Sequence, residues 1–148
     1  MISPEVLRAY PYFAGACEES LRELAMATEE LTFQEGQVLF REDQTADRLF
    51  ILICGEVDIQ YELNTGEHRT VDTVVAGDVL LWSAMVRPYR TTGLAIARRT
   101  SEVIAVDARK LRELCESDRE LGFSLMMEIA RATSHRLEKA RVQLAARG

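Results

Sequence analysis

Residues 36–62, GQVLFREDQTADRLFILICGEVDIQYE, contain the clearest β pattern in the chain. Residues 49–54 are apolar on both alternating faces, which is typical of a strand covered on both sides. Residues 56–62 alternate between polar and apolar side chains, which predicts one buried and one solvated face. Gly55 between them suits a tight turn, because glycine accepts a positive φ.

The β pattern continues on both sides of this pair of strands. Residues 33–107 are rich in Val, Ile, Thr and Phe, and glycines interrupt them at Gly36, Gly55, Gly66 and Gly77. Further strands are predicted over residues 70–75, 93–97 and 102–106. Short strands separated by glycine turns predict a mainly β sandwich or barrel.

Helical patterns flank the β region. Pro4 fits the first turn of a helix capped by Ser3, and Leu21, Leu24 and Ala25 fall on one face of a second helix. A short helix is predicted over residues 108–115, with Ser117 as the cap of a long helix over 121–146. We therefore predict one domain over 1–148, with N-terminal helices at 1–32, a β-roll at 33–107 and C-terminal helices at 108–148.

The long helix carries small and apolar residues at alternating spacings of four and three. They are Met126, Ala130, Thr133, Leu137, Ala140 and Leu144. This spacing is typical of a coiled-coil seam and favours a homodimer formed through this helix. The alternative is a helix that packs only against its own β-roll.

Composition limits the class of protein. The chain has 148 residues, 47% of them hydrophobic, and a net charge of −6, which is typical of one globular domain. It lacks a run of about 20 apolar residues and a signal-peptide pattern, so we expect a cytoplasmic protein with no membrane segment. Cys17, Cys54 and Cys115 have neither paired nor metal-binding spacing, and we expect small buried side chains.

The strand and glycine spacing of residues 36–43, 46–53 and 55–59 resembles the cyclic nucleotide-binding domain. This domain is the sensor module of catabolite-activator-like regulators and of cyclic-nucleotide-gated channels and kinases. The resemblance runs from about residue 12 to residue 144. It implies an eight-stranded β jelly roll with flanking helices, and a long C-terminal helix that closes over the ligand pocket. It also implies a regulatory role in signal transduction.

The resemblance places the phosphate-binding cassette at residues 76–92, AGDVLLWSAMVRPYRTT. In the family, a glycine turn and the start of a short helix hold the cyclic phosphate, an arginine pairs with it, and a glutamate binds the ribose 2′-hydroxyl. Gly77, Arg90 and Thr91 match this scheme. Leu81 stands in place of the cassette glycine, and Trp82 in place of the glutamate.

The resemblance therefore implies a site for a small anionic ligand such as cAMP or cGMP. The candidate ligand-binding residues are Gly77, Leu81, Trp82, Ser83, Arg90, Thr91 and Arg141. Trp82 is either a core residue or a stacking surface for a planar ligand. Arg90 is either the phosphate partner or a surface arginine paired with nearby acids. The alternative to a sensor is a ligand-free dimerisation or protein-interaction module that has lost nucleotide binding.

Other classes of function find little support in the residues. Two histidines, His68 and His135, do not provide the ligand set of a metal-dependent jelly-roll enzyme. We expect no catalysis, no metal and no cofactor. The chain stops at Gly148, just after the long helix, so we expect no direct DNA binding and an unidentified downstream protein partner.

Overall fold

The computed structural model describes residues 1–147. Three short helical segments open the chain: α1 (Pro4–Arg8), a 3₁₀ turn (Pro11–Phe13) and α2 (Glu18–Met26). Ser3 caps α1, because its side-chain oxygen accepts from the backbone N–H of Val6. The predicted apolar face of α2 is buried, as its periodicity indicates.

Eight strands follow and form two four-stranded antiparallel sheets. They are β1 (Thr28–Phe33), β2 (Val38–Phe40), β3 (Arg48–Cys54), β4 (Val57–Glu62), β5 (His68–Val74), β6 (Val79–Leu80), β7 (Leu94–Ala97) and β8 (Ser101–Asp107). One sheet has the order β1-β8-β3-β6 and the other β2-β7-β4-β5. The eight-stranded jelly roll with flanking helices is therefore confirmed.

The first strand begins earlier than the sequence predicts. Thr28–Phe33 pairs with β8 along its whole length, so the helical segment ends at Met26 rather than at residue 32. Glu29 and Glu30 in this strand are exposed, and acidic residues disfavour strands in general. The long-range pairing with β8 overrides that local preference.

The core lies between the two sheets and beneath the N-terminal helices. The four residues Leu49–Leu52 of β3 are buried, which confirms the prediction of a strand covered on both sides. Gly55 follows β3 with a φ of +102°. A Cβ at this position would lie 2.3 Å from the Ser101 hydroxyl oxygen, so the β3–β4 turn requires glycine for space as well as for conformation.

Two helices close the chain, α3 (Ala108–Ser117) and α4 (Arg119–Arg147). The prediction that Ser117 caps the long helix is wrong, because Ser117 is the last residue of α3. Asp118 takes that position, and its carboxylate accepts from the backbone N–H groups of Leu121 and Cys17. Aspartate is as good an N-cap as serine, and its negative charge also interacts favourably with the helix dipole.

One face of α4 packs on its own domain through Leu121, Leu125 and Ile129. In the predicted seam, Thr133 is half-buried, Ala130 and Ala140 are small, and Met126, Leu137 and Leu144 are exposed on the single chain. No helix within residues 1–147 is long and apolar enough to cross a membrane.

The cysteines differ from the prediction. Cys17 and Cys54 are exposed, and Cys115 is half-buried. Cys17 precedes α2 at the surface and Cys54 ends β3 beside the Glu102 carboxylate, so neither reaches the core. Burial, reinforced by the nearby Asp118 carboxylate, raises the pKa of the Cys115 thiol to about 11.

Candidate functional site

A cavity of about 510 Å³ lies between the β-roll and α4. The β-roll supplies mainly apolar walls, and one surface of α4 covers the other side. The lining residues are Phe40, Ile59, Tyr61, Val71, Asp72, Leu80, Leu81, Trp82, Ser83, Thr92, Gly93, Thr133, Arg136, Leu137, Lys139, Ala140 and Gln143. Its volume falls in the ordinary range for small-molecule sites.

A fixed turn leads the chain into this cavity. Gly77 has a φ of +92°, and its backbone N–H donates to the carbonyl of Leu52. The Tyr12 hydroxyl donates to the Gly77 carbonyl at 2.9 Å. Burial, with the Asp78 carboxylate nearby, raises the pKa of that hydroxyl, so it remains a donor. Gly77 thus positions the cassette without lining the cavity.

Leu81 is the point at which the chain turns from β6 into a short 3₁₀ helix, Trp82–Met85. Its backbone is left-handed, with φ +61° and ψ +45°, a region that favours glycine. The Leu81 side chain is buried and forms part of the cavity wall. A leucine therefore stands where the backbone conformation favours glycine.

Trp82 and Ser83 both reach the cavity wall. The Trp82 indole is half-buried, packs against the core and lines the cavity. Ser83 is buried beside it. The structure thus brings together Leu81, Trp82 and Ser83 of the predicted site residues.

Arg90 and Thr91 lie away from that cavity. The Arg90 Nε lies 2.8 Å from the Asp43 carboxylate, and the guanidinium lines a neighbouring cavity with Pro88, Tyr89 and Arg112. The buried Thr91 hydroxyl donates to the Arg41 carbonyl and accepts from the Gln44 N–H. In this arrangement, both side chains hold the loop after β2.

The helical side of the cavity contains residues that the sequence reasoning missed. Arg136 and Lys139 of α4 face the cavity, and both approach the Asp72 carboxylate of β5. The sequence could have indicated this pair, because residues three positions apart on a helix are neighbours on its surface. The seam residues Thr133, Leu137 and Ala140 also contribute to the wall, whereas Arg141 is exposed and outside it.

One further cluster lies on the surface. Side-chain ligand atoms of Glu42, Glu62 and His68 lie within 4.8 Å of one another. Glu62 and His68 are exposed, and a Glu42 oxygen already accepts from the Glu62 N–H. A structural zinc site has four protein ligands and no open coordination position. This group offers three ligands, two of them exposed, so it does not match such a site.

Residues 30–118 match the family model of the cyclic nucleotide-binding domain, which is more than half of the chain. A curated relative is the cAMP-dependent protein kinase regulatory subunit of Dictyostelium discoideum, 26% identical over 99 residues. That match covers 62% of this chain and 29% of the relative, so the chain spans less than a third of that protein.

Two of the solved structures that are similar to this chain illustrate the likeness. One, from Geobacter metallireducens, is described as a cyclic nucleotide-binding protein. It is 37% identical, with a TM-score of 0.81, and the match covers 93% of this chain and 99% of that one. The other is the regulatory domain of Toxoplasma gondii PKA with cAMP. It is 20% identical with a TM-score of 0.66, covers 75% of this chain and 42% of that one, and supports the fold alone.

Proposed function

Since the chain belongs to the cyclic nucleotide-binding domain family, we propose that it is a non-enzymatic sensor domain for a small anionic ligand, with cAMP and cGMP as the first candidates. The observation that carries this proposal is the cavity between the cassette residues and α4. A ligand placed there contacts both the β-roll and the helix, and can therefore change how they pack.

The chemistry of the cavity suits a planar molecule with one charged group. Its walls are mainly apolar, and Trp82 offers an aromatic face on which a base can stack. Ser83 offers a hydroxyl donor at the cassette end. In the proposed complex, the backbone near Leu81, Trp82 and Ser83 contacts the phosphate, while Gly77 holds the turn in place.

Arg90 is the proposed counter-charge, with Thr91 as an additional donor. Binding then requires Arg90 to leave Asp43 and turn towards the ligand. The Arg90 and Asp43 side chains are 46% and 86% exposed, and a surface pair of this kind contributes about 0–1 kcal/mol. A phosphate can compete with an ion pair this weak. Arg141 completes the proposed set by stacking over the ligand from α4 after a shift of that helix.

The signal is proposed to leave through α4. Leu121, Leu125 and Ile129 fix the first half of the helix in the core, whereas its second half is largely exposed. The exposed seam supports a homodimer formed by two such helices. A ligand that contacts the cavity face of α4 then biases the packing of both helices.

A thermal-shift panel tests the proposal. Purified protein is heated with cAMP, cGMP and inorganic phosphate, and the panel is repeated with Arg90→Ala and Arg131→Ala. Arg131 is the matched control, because it is an exposed arginine paired with Glu128 outside the cavity. A ligand at a hundredfold excess over its Kd stabilises the protein by about 2.7 kcal/mol, which raises Tm by several degrees.

We expect Arg90→Ala to lose the nucleotide-induced shift and Arg131→Ala to keep it. An unchanged shift in Arg90→Ala would remove Arg90 from the site. If neither nucleotide nor phosphate shifts the wild-type protein, the second candidate, a ligand-free interaction module, takes the place of the sensor. The observations that favour this second candidate are the Cβ of Leu81 at the cassette glycine position and the pairing of Arg90 with Asp43.

A further inference from the structure

The cavity contains a carboxylate held between two cations. Oδ2 of Asp72 lies 3.4 Å from Nε of Arg136, and Oδ1 lies 3.3 Å from Nζ of Lys139. These three are the charged side chains among the described residues that line the cavity. The Asp72 side chain is only 18% exposed, so the cluster is partly shielded from water.

A β-bulge aims Asp72 into the cavity. In the β4–β5 ladder, Ile59 pairs with Asp72 and Gln60 pairs with Thr70, which leaves Val71 without a partner. In a regular strand, the neighbours Val71 and Asp72 would point to opposite faces. Both line the cavity here, because a bulge redirects the side chains around the extra residue. The carboxylate is therefore placed in the site by the strand geometry.

The two cations lie on the same face of α4 and differ in burial. Arg136 also donates to the Val79 carbonyl at 2.6 Å, and its side chain is 21% exposed. Lys139 is three residues further along the same face and is 49% exposed. The largely buried Arg136 requires a compensating anion. Asp72 supplies it in the ligand-free protein, and a ligand with its own negative charge can supply it instead.

We propose that Asp72 is an internal competitor of the ligand and sets its affinity. The carboxylate occupies Arg136 and Lys139, and an anionic ligand binds by taking one or both cations from it. Two cations and one carboxylate leave one net positive charge, which favours an anionic molecule over a neutral one of the same shape. The inference rests on the proposed function: the phosphate that Arg90 pairs with in the proposed complex also takes Arg136, Lys139 or both from Asp72. Arg136 lies at the cassette, where it bonds the Val79 carbonyl, so these residues add specificity to the same site.

The test compares charge-matched variants by isothermal titration calorimetry. The probes are cAMP and cGMP, with adenosine as a neutral molecule that lacks the phosphate. The variants are Asp72→Asn, Arg136→Gln and Lys139→Gln. Asp58→Asn is the control, because Asp58 lies on the neighbouring strand, bonds the Thr73 hydroxyl and does not line the cavity. Circular dichroism and melting of each ligand-free variant show that it is folded.

We expect Asp72→Asn to bind the cyclic nucleotides about two- to fivefold more tightly than wild type, since the competing anion is gone. Arg136→Gln should bind them about ten- to a hundredfold more weakly, with a smaller loss for Lys139→Gln. Asp58→Asn should match wild type, and adenosine binding should not change in Asp72→Asn. The diagnostic result is that affinity rises in Asp72→Asn and falls in Arg136→Gln. If the ion pair were purely structural, removing either partner would weaken binding.

Two outcomes would overturn the inference in distinguishable ways. If wild type binds a nucleotide and Asp72→Asn binds it equally or more weakly, Asp72 is no competitor, while the sensor proposal stands. If Asp72→Asn does not fold, unchanged binding in Lys139→Gln and Arg136→Gln also shows that Asp72 is no competitor. If no variant, wild type included, binds any probe, the sensor proposal fails and this inference fails with it.

Discussion

The left-handed backbone of Leu81 leads to a prediction about a pair of substitutions. Leu81→Ala and Leu81→Gly both remove the buried side chain beyond Cβ, so the loss of apolar burial largely cancels between them. The remaining difference is the backbone at φ +61°. A left-handed conformation costs an L-residue about 1–2 kcal/mol and costs glycine almost nothing.

An opposing term reduces this difference. Glycine loses more chain entropy on folding than alanine, by about 0.5–1 kcal/mol. The net expectation is that Leu81→Gly is more stable than Leu81→Ala by about 0.5–1 kcal/mol. Val86 is the matched control in the same segment, because its φ of −126° is open to any residue. There, the alanine variant should be the more stable by about 0.5–1 kcal/mol.

Urea unfolding measures the free energy of unfolding for all four variants. Leu81→Ala should itself cost about 2–5 kcal/mol through the lost burial, so both variants at position 81 are weakened but measurable. The same order of stability at positions 81 and 86, with alanine above glycine at both, would refute the argument from backbone strain. Calorimetry on the same proteins should show tighter cAMP binding to Leu81→Gly than to Leu81→Ala, since the glycine removes the Cβ that hinders approach to the backbone.

Three further predictions concern α4 and its surroundings. Leu144→Glu in the exposed seam should convert dimers to monomers in light scattering, whereas Val142→Glu, on an exposed position outside the seam, should leave them dimeric; dimers in both would refute the seam. Asp118→Asn should lower the free energy of unfolding by about 1 kcal/mol at neutral pH, because the amide lacks the negative charge at the start of α4 and keeps only one of the two oxygens that accept from Leu121 and Cys17. Backbone hydrogen bonds, chiefly from Cys17, lower the pKa of Asp118, so its contribution is present above the ordinary pKa of 3.8 and is lost as pH falls through the lower folded value. Equal urea midpoints for wild type and Asp118→Asn at neutral pH would contradict this role. At pH 8, Cys115, with its pKa of about 11, should react with iodoacetamide far more slowly than exposed Cys54; equal rates would show that the thiol is not shielded.

The fold was predictable because its signals are local. The apolar run in β3 and the glycine after it depend on residues close in sequence, and the structure confirms both. β4 also forms, but its predicted division into one buried and one solvated face is wrong. Burial falls along the strand from Val57 to Glu62, because Ile59 and Tyr61 line the cavity instead of entering the core. The start of β1 was not predictable in this way. Its partner is β8, more than 60 residues later, and the pairing outweighs the low strand preference of its two glutamates.

The candidate site was predictable in part. The resemblance located the cassette, and Leu81, Trp82 and Ser83 do line the cavity. The resemblance gave no information on what Arg90 contacts, because Asp43 lies 47 positions earlier in the chain. The sequence did not indicate Asp72 as a site residue, for a related reason. In a regular strand, Val71 and Asp72 point to opposite faces, and only the bulge against β4 allows both to line the cavity.

The amino-acid sequence is thus enough to predict the β-roll, its turn glycines and the length of the final helix, because hydrophobic periodicity and backbone preference act over a few neighbouring positions. Tertiary packing alone decided which charged groups meet in the cavity. Arg136 and Lys139 come within reach of Asp72 because α4 docks through Leu121, Leu125 and Ile129, and the docking of distant elements is not encoded in any single segment.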